Sequence, residues 1–270
     1  MTAVRDAAPF DLAVCAEMVF LDLPFVDRVR RIGELGFAVE MWSWQDKEID
    51  ALVATGARFS SMTGYVHGNL VEPAAAETLV KTAEQTLDVA AALGCPRLVV
   101  HSAELADGKA VKPMFRATGP MWLTAQRTLS RLATLGEQAG VTFCLENLNT
   151  VLDHPGVPLA RAKDTLALVA AVGSPHVRMM LDLYHAQIGE GNLVALVERA
   201  GAAIGQVQVA DVPGRCEPGT GEIYYPAVAS ALRRIGYTGT VGLEAYASGD
   251  STRALDRFRA AFNSERGPQS

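Results

Sequence analysis

The sequence lacks the features that mark several classes of protein. It has no C-x-x-C pair among its four cysteines, no cluster of lysine and arginine, and no apolar run near the roughly 18 residues that a membrane span requires. The first residues show no basic segment followed by a long apolar stretch. The formal net charge of −6 gives no reason to expect a nucleic acid or an anionic membrane as partner. We therefore expect a soluble, cytoplasmic protein with reduced, buried thiols.

Motifs for nucleotide binding and for common hydrolases are absent as well. There is no G-x-G-x-x-G fingerprint for a nicotinamide or flavin cofactor, no G-x-S-x-G elbow and no H-E-x-x-H zinc motif. The PGTG segment at 218–221 lacks the G-K-[ST] ending of a phosphate loop, so we interpret it as a tight turn. Hydrophobic residues make up 49% of the chain and charged residues 20%, which is typical of a folded globular protein and argues against disorder.

What the sequence does contain is a repeated unit. A helical stretch ends at a glycine, a short apolar strand follows, and an ionisable residue closes the strand. Glycine accepts the left-handed conformation that ends a helix, and a continuous apolar run indicates a strand covered on both faces, as in a parallel sheet. The unit occurs six times, and its closing residues are Glu40, His101, Glu146, Asp182, Asp211 and Glu244.

Two further strands, at 11–16 and 57–63, bring the number of predicted strands to eight. The helices that alternate with them are predicted near 24–35, 46–55, 74–93, 120–139, 161–172, 192–203, 225–236 and 250–264. Eight alternations of strand and helix favour a closed (β/α)₈ TIM barrel, which we predict as a single domain over 1–270. The longer loops between a strand and the next helix are 102–118 and 211–224.

The residues that close the strands indicate where the chemistry lies. In a parallel barrel every strand points its C-terminal end at the same face, so residues far apart in sequence converge there. Several carboxylates in one mouth raise one another's pKa values unless a positive charge lies among them, and a divalent cation is the simplest such charge. The alternative is that these acids lie on the barrel rim and face water. The apolar residues immediately before each acid favour the metal site.

Three more polar side chains fit the same face. Gln208 lies within the apolar run VQVA, where an unpaired amide is costly, so it either binds the metal or substrate or forms a hydrogen bond within the core. His185 follows Asp182 by three residues, a spacing that lets its ring turn back over the site. Arg215 lies in the loop VPGRCEPGTGE, where its guanidinium either clamps a substrate carboxylate or remains a solvated charge.

Four motifs carry a family resemblance. They are LENLN at 145–149, LDLYHAQIGEG at 181–191, VQVADVPGRCEPGTGEIYY at 207–225 and VGLEAY at 241–246. Together they resemble the hydroxypyruvate isomerase family, a branch of the xylose-isomerase-like barrels that also include ketose 3-epimerases and 2-oxo-tetronate isomerases. The detailed resemblance covers the second half of the chain, and the first half agrees in layout. EPGTGEIYY after VQVAD is specific to the hydroxypyruvate isomerase branch, whereas the acids at strand ends five, six and eight are shared by the whole group.

The resemblance implies a metal site and roles for its neighbours. The metal, Mg²⁺ or Mn²⁺, would be held by Glu146, Asp182, Gln208 and Glu244. Glu146 and Glu244 would also form the acid–base pair. The substrate contacts that we expect are His185, Arg215, His101 and Glu40. Two positions depart from the family pattern: Cys216, where members often carry His or Gly, and Asn147, where they often carry Pro.

The implied reaction is an isomerisation of aldose–ketose type, which converts hydroxypyruvate to tartronate semialdehyde. A Lewis-acid metal polarises the carbonyl, a glutamate removes the neighbouring proton to give an enediolate, and a glutamate returns a proton to the next carbon.

There are four alternatives to this function. They are a 2-oxo-tetronate isomerase, a ketose 3-epimerase, a barrel that binds a sugar acid without converting it, and a DNA-repair endonuclease of the superfamily. The endonucleases use several zinc ions and many more histidines, so five histidines and an acidic charge fit them poorly. The expected partners are a small-molecule substrate and, in a homo-oligomer, further copies of the chain.

Overall fold

The structure, a computed structural model, describes residues 10–263, in which eight parallel strands form a closed barrel. The strands are β1 (Asp11–Cys15), β2 (Ala38–Met41), β3 (Phe59–Thr63), β4 (Arg97–Val100), β5 (Thr142–Glu146), β6 (Val177–Asp182), β7 (Ile204–Val209) and β8 (Thr240–Leu243). Each strand pairs with the next, and β1 pairs with β8, so the sheet closes on itself. The predicted TIM barrel is confirmed.

Helices follow the strands around the barrel. They are α1 (Phe25–Glu34), α2 (Ile49–Ala54), α3 (Pro73–Leu93), α4 (Gly119–Ala139), α5 (Ala162–Val172), α6 (Leu183–Gly189), α7 (Leu193–Ala200), α8 (Tyr225–Arg234) and α9 (Ser251–Asn263). The short helix α6 was not predicted. It begins directly after β6, where Asp182 caps it by accepting a hydrogen bond from the backbone N–H of His185 at 2.7 Å. Between residues 10 and 263, no helix is long and apolar enough to cross a membrane.

The helices end, and the core forms, for the reasons that the sequence pattern indicates. Gly94 and Gly140 end the long helices α3 and α4 with φ angles of 61° and 70°, which favour glycine over residues with a side chain. Apolar side chains from strands and helices are buried together between the two layers, among them Leu79, Leu129 and Phe143. This core stabilises the barrel, so the residues at the strand ends can be polar.

The inside of the barrel is built in layers below its C-terminal mouth. Val99, Cys144 and Met180 form a buried apolar cluster there. Each lies two residues before a predicted site residue, and side chains two apart on a strand face the same side. On the last strand, Gly242 leaves room for the carboxylate of Glu40, because a Cβ on this glycine would overlap the Glu40 oxygens. The lumen therefore has an apolar part and a part that holds a buried acid.

Candidate active site

Three acidic side chains meet at the C-terminal mouth of the barrel. Glu146 and Asp182 are the last residues of β5 and β6, and Glu244 directly follows β8. All three are buried. Carboxylate oxygens of Glu146 and Asp182 and a ring nitrogen of His185 all lie within 4.8 Å of one another. The barrel thus brings together residues that are far apart in sequence.

The electrostatics of the mouth favour a cation. Burial raises the pKa of Glu146 well above its usual range, and the negative charge of Glu244 raises it further. Burial also raises the pKa of Asp182, and the charges of Glu244 and Glu146 add to this effect. The guanidinium of Arg215 acts in the opposite direction on both acids without reversing either shift. A divalent cation among these oxygens would stabilise their ionised forms.

Gln208 adds an oxygen atom to this set. Its Nε2 donates a hydrogen bond to Oε2 of Glu40 at 3.3 Å, while its buried Oε1 has no hydrogen-bond partner among the described residues. A buried amide oxygen is costly unless a ligand satisfies it. Carboxylate and amide oxygens are the ligands that Mg²⁺ and Mn²⁺ prefer. The residues present therefore fit the expected metal.

Glu40, a predicted substrate contact, lies in the lumen of the barrel and is bound by two side-chain amides. It is 2% exposed, and its two carboxylate oxygens accept hydrogen bonds from the side-chain amides of Gln206 and Gln208. Burial, followed by the charge of Glu244, raises the pKa of Glu40 to about 8. The absence of a side chain at Gly242 leaves room for this carboxylate, which supports Gln208 through its hydrogen bond, and the substrate contact of Glu40 stays a prediction.

His101 contacts one of the acids directly. Its Nε2 lies 3.0 Å from Oε2 of Glu146, and its Nδ1 lies 3.1 Å from the hydroxyl of Tyr65. Burial lowers the pKa of His101 to about 4, so the ring is neutral near pH 7. With both nitrogens engaged, His101 holds Glu146 in position, and its expected contact with the substrate stays a prediction.

His185 and Arg215 each present a buried nitrogen without a hydrogen-bond partner among residues 10–263. Nε2 of His185 lies 3.8 Å from Oε1 of Glu146 and 3.9 Å from Oδ2 of Asp182, both beyond hydrogen-bond distance. Arg215 donates through Nη2 to Oε2 of Glu244 at 2.6 Å, but its Nε is unpaired. Burial, together with the charge of Arg215, lowers the pKa of His185 well below its usual range. These nitrogens can therefore bind an anionic or hydroxylated ligand.

Asp211 does not join the other acids, although the sequence placed it at a strand end. β7 ends at Val209, and Asp211 begins the following loop. Its buried carboxylate accepts hydrogen bonds from the backbone N–H groups of Val212, Gly219, Thr220 and Ile223. Asp211 therefore organises the loop that carries Arg215, and the expectation that it faces the mouth is wrong.

A family model described as xylose isomerase-like TIM barrel matches residues 26–262, which include every strand after β1 and all the site residues above. The chain belongs to the xylose isomerase-like TIM barrel family. The group predicted from the motifs at the strand ends is thus confirmed, and the acids of the mouth lie where the eight strands of this fold converge.

Relatives of this chain in the family have isomerase names. A 2-oxo-tetronate isomerase of Haemophilus influenzae is 30% identical over an alignment of 254 residues, and the match covers 90% of this chain and 95% of the relative. A Mus musculus protein provisionally named hydroxypyruvate isomerase is 28% identical over an alignment of 273 residues, and the match covers 95% of this chain and 96% of the relative. The predicted enzyme class, an isomerase, is confirmed by these relatives.

A solved structure from Brucella melitensis, named AP endonuclease, family 2, has the same fold. It superposes on this chain with a TM-score of 0.80 at 28% identity, and the match covers 94% of this chain and 99% of the other. The superposition extends over the whole barrel, so the predicted fold is supported by an experimental structure as well as by the family model.

Two contacts in this xylose isomerase-like mouth were not predicted. Trp42 donates from Nε1 to Oε1 of Glu244 at 2.8 Å, and the residue is 41% exposed. Asn149 places its Nδ2 2.8 Å from Nδ1 of His185. A signal existed for both residues, because Trp42 follows the second strand closely and Asn149 lies in the LENLN motif. Their partners, His185 and Glu244, lie far away in sequence, so a local pattern does not reveal these contacts.

Proposed function

We propose that this protein is a metal-dependent isomerase that interconverts hydroxypyruvate and tartronate semialdehyde, or acts on a closely related small hydroxy-oxo acid. One observation carries the proposal. The unpartnered amide oxygen of Gln208 shares the mouth with buried carboxylates of raised pKa and with the unpartnered nitrogens of His185 and Arg215. The oxygens suit a divalent cation, and the nitrogens suit the carboxylate of an acid.

The metal would be held by four residues, Glu146, Asp182, Gln208 and Glu244. Their all-oxygen ligand set favours Mg²⁺ or Mn²⁺ over softer metals. When bound, such a cation supplies Lewis-acid polarisation of a substrate carbonyl. Trp42 and Arg215 both donate hydrogen bonds to Glu244 and hold its carboxylate at the mouth.

Glu146 and Glu244 would move the protons. They extend from β5 and β8, which are not neighbours in the barrel, so their carboxylates reach a bound substrate from different directions. One glutamate removes the proton from the carbon beside the carbonyl, and a glutamate returns a proton to the adjacent carbon. The hydrogen bond between His101 and Glu146 positions one of the two for this transfer.

The acid end of the substrate would lie on Arg215 and His185. A planar guanidinium binds a carboxylate through paired hydrogen bonds, and the Nε of Arg215 is available for one of them. A neutral ketose offers only hydroxyl groups to the same atoms, so the site favours an acid over the substrate of a ketose 3-epimerase. A four-carbon 2-oxo-tetronate has the same carboxylate. The name of the Haemophilus influenzae relative, 2-oxo-tetronate isomerase, makes this acid the alternative substrate.

The name of the Brucella melitensis relative raises a phosphodiester as a further possibility. Two observations argue against it. The chain has a net charge of −6, which repels a polyanion. Among the described residues, the only cluster of acids, histidines or cysteines with metal-binding geometry has two carboxylates and one imidazole. The endonucleases need ligands for several zinc ions, which this cluster does not supply.

The proposal is tested by assaying one preparation of the protein on a panel of substrates. Chelator-treated protein should lose activity, and added Mg²⁺ or Mn²⁺ should restore it on hydroxypyruvate more than on neutral ketoses. Arg215→Lys should reduce activity on acids much more than on neutral ketoses, because lysine cannot form the paired hydrogen bonds. Full turnover by metal-free protein would exclude the metal role, and a preference of the parent protein for neutral ketoses would establish an epimerase instead.

A further inference from the structure

The ring of His185 can either bind a metal or donate a hydrogen bond in the mouth. Which of the two it does depends on which ring nitrogen carries the proton. His185 forms a cluster of potential metal ligands with Glu146 and Asp182, and its Nε2 lies 3.8 and 3.9 Å from their carboxylate oxygens. A neutral imidazole carries one proton, so Nε2 is either a lone-pair ligand for a metal or an N–H donor. The partner of the other ring nitrogen determines which of these is present.

That partner is Asn149, a fully buried residue. Its Oδ1 accepts hydrogen bonds from the backbone N–H groups of Leu152 and Asp153 at 2.9 and 3.1 Å. Because a backbone N–H can only donate, the orientation of the Asn149 amide is determined, and its nitrogen must lie on the opposite side. Nδ2 donates one proton to Oδ2 of Asp153 at 2.6 Å and lies 2.8 Å from Nδ1 of His185.

The nitrogen of a side-chain amide is a donor only. Nδ1 of His185 must therefore be the acceptor of its second proton, and the single proton of the neutral ring lies on Nε2. We propose that Asn149, held by Asp153, is a positioning residue that fixes His185 as the Nε2–H tautomer, making it a hydrogen-bond donor to the substrate and excluding it from metal coordination.

This arrangement has a consequence for the choice of metal. With Nε2 protonated, the ligands left to a cation are oxygens, which suit Mg²⁺ or Mn²⁺, whereas an imidazole lone pair would favour Zn²⁺. The donor role on a substrate rests on the proposed function. The tautomer itself does not, because it follows from the contacts of Asn149 alone.

The test uses an exchange of the two side chains, Asn149→Asp with Asp153→Asn. The exchange keeps the net charge and the amide–carboxylate pair, but it places an acceptor opposite Nδ1 of His185. The proton should move to Nδ1 and leave a lone pair on Nε2, facing Glu146 and Asp182. Asp153→Asn alone is the matched control, since it removes the same charge from position 153 but leaves the Asn149 donor in place.

Two measurements on the metal-free protein decide the outcome. ¹⁵N NMR of the imidazoles, with His185 assigned by the spectrum of His185→Asn, should show Nε2–H in the parent and in Asp153→Asn, and Nδ1–H in the exchange variant. Titrations should show that the exchange raises the preference for Zn²⁺ over Mg²⁺ about 10-fold or more, with little change in Asp153→Asn.

A parent protein with Nδ1–H would overturn the proposal, and this measurement stands even when the exchange variant fails to fold. An exchange variant that folds and keeps Nε2–H would overturn it as well. Neither readout depends on turnover, so a failure of the proposed isomerase activity would be recognised separately.

Discussion

At the scale of single residues, the orientation of an amide decides what the mouth can bind. Gln208 directs its nitrogen to Glu40 and leaves its oxygen without a partner. Only the oxygen of an amide can bind a cation. The hydrogen bond from Gln208 to Glu40 therefore selects the amide orientation in which the oxygen is available to a cation. Glu40 would thus influence the proposed metal site through Gln208 alone.

We expect Glu40→Gln to weaken Mg²⁺ or Mn²⁺ binding about 10–100-fold, the usual effect of losing a residue that orients a metal ligand. A glutamine at this position can donate as well as accept, so it no longer determines which end of Gln208 faces the mouth. Calorimetric titration of the metal-free protein measures the change. Ser61→Ala is the control, because Ser61 accepts from Gln206 and not from Gln208. Unchanged affinity in Glu40→Gln would contradict the role assigned to Glu40.

The two glutamates of the mouth give a second prediction. Glu146→Gln and Glu244→Gln should each keep the fold and lose about 10²–10⁴-fold in turnover, the usual contribution of a general acid or base. Both residues are also proposed metal ligands, so the metal content is measured beside the rate. Turnover in D₂O should place deuterium on the product carbon that receives the proton. Near-normal rates in both variants with the metal still bound would rule out the assignment.

At the scale of elements, the loop after β7 is as important as the strands. It presents Arg215 to the mouth, and two buried carboxylates hold it in place. Asp211 binds four of its backbone N–H groups. Glu217 anchors its far side to Ser248 and Arg257, and these contacts lower the pKa of Glu217 despite its burial. The position of Arg215 therefore depends on groups that never touch a ligand.

Replacement of Asp211 by alanine should loosen this loop. We expect Asp211→Ala to reduce the free energy of unfolding by about 2–4 kcal/mol, because several backbone donors lose a charged partner. KM for the acid substrate should rise, since Arg215 is no longer held. Denaturant unfolding and steady-state kinetics measure the two effects.

Asp250→Ala serves as the comparison for this variant. Asp250 accepts one hydrogen bond, from the backbone N–H of Arg253 at the start of α9, so its loss should cost about 1 kcal/mol without changing KM. Equal effects of the two substitutions on KM would show that Asp211 does not position Arg215.

At the scale of the whole molecule, barrel closure forces acids into one buried space. Glu40, Glu146 and Asp182 all have pKa values above their ordinary range, with burial as the largest cause. Above about pH 7 these acids bind more protons in the folded, metal-free protein than in the unfolded chain, whereas the buried His101 and His185, whose pKa values are lowered, act in the opposite direction only at lower pH. The stability of the barrel is therefore linked to pH and, under the proposed function, to the binding of a cation.

The sign of this linkage gives a further prediction. The pKa of Glu40 rises from 4.5 in the unfolded chain to about 8 in the fold, so the unfolded chain loses its proton first. The free energy of unfolding of metal-free protein should fall as the pH rises from about 7 through the pKa of Glu40, because the histidines are neutral in both states over this range. Denaturant unfolding at pH 7 and pH 8.5 in the presence of a chelator measures the fall. Glu40→Gln should make it smaller, and added Mg²⁺ or Mn²⁺ should restore stability at pH 8.5. A metal-free protein that becomes more stable towards pH 8.5 would contradict the linkage.

The barrel and the residues at its strand ends could be predicted from the sequence because their signals are local. Glycines that end helices and unbroken apolar runs repeat along the chain, and each repeat needs only its own residues to form a strand and a helix. The family model then confirmed the group. Glu146 and Asp182 lie at the last positions of their strands, as the pattern predicts.

Only the tertiary structure decided what each acid does. Glu40, Asp211 and Glu146 share one local pattern, an apolar run followed by an acid, yet one supports Gln208, one organises a loop and one faces the mouth. The difference comes from partners far away in sequence, such as the space at Gly242 and the backbone donors at 219–223. A carboxylate takes its role from the donors and charges around it, and those are gathered only when the barrel closes.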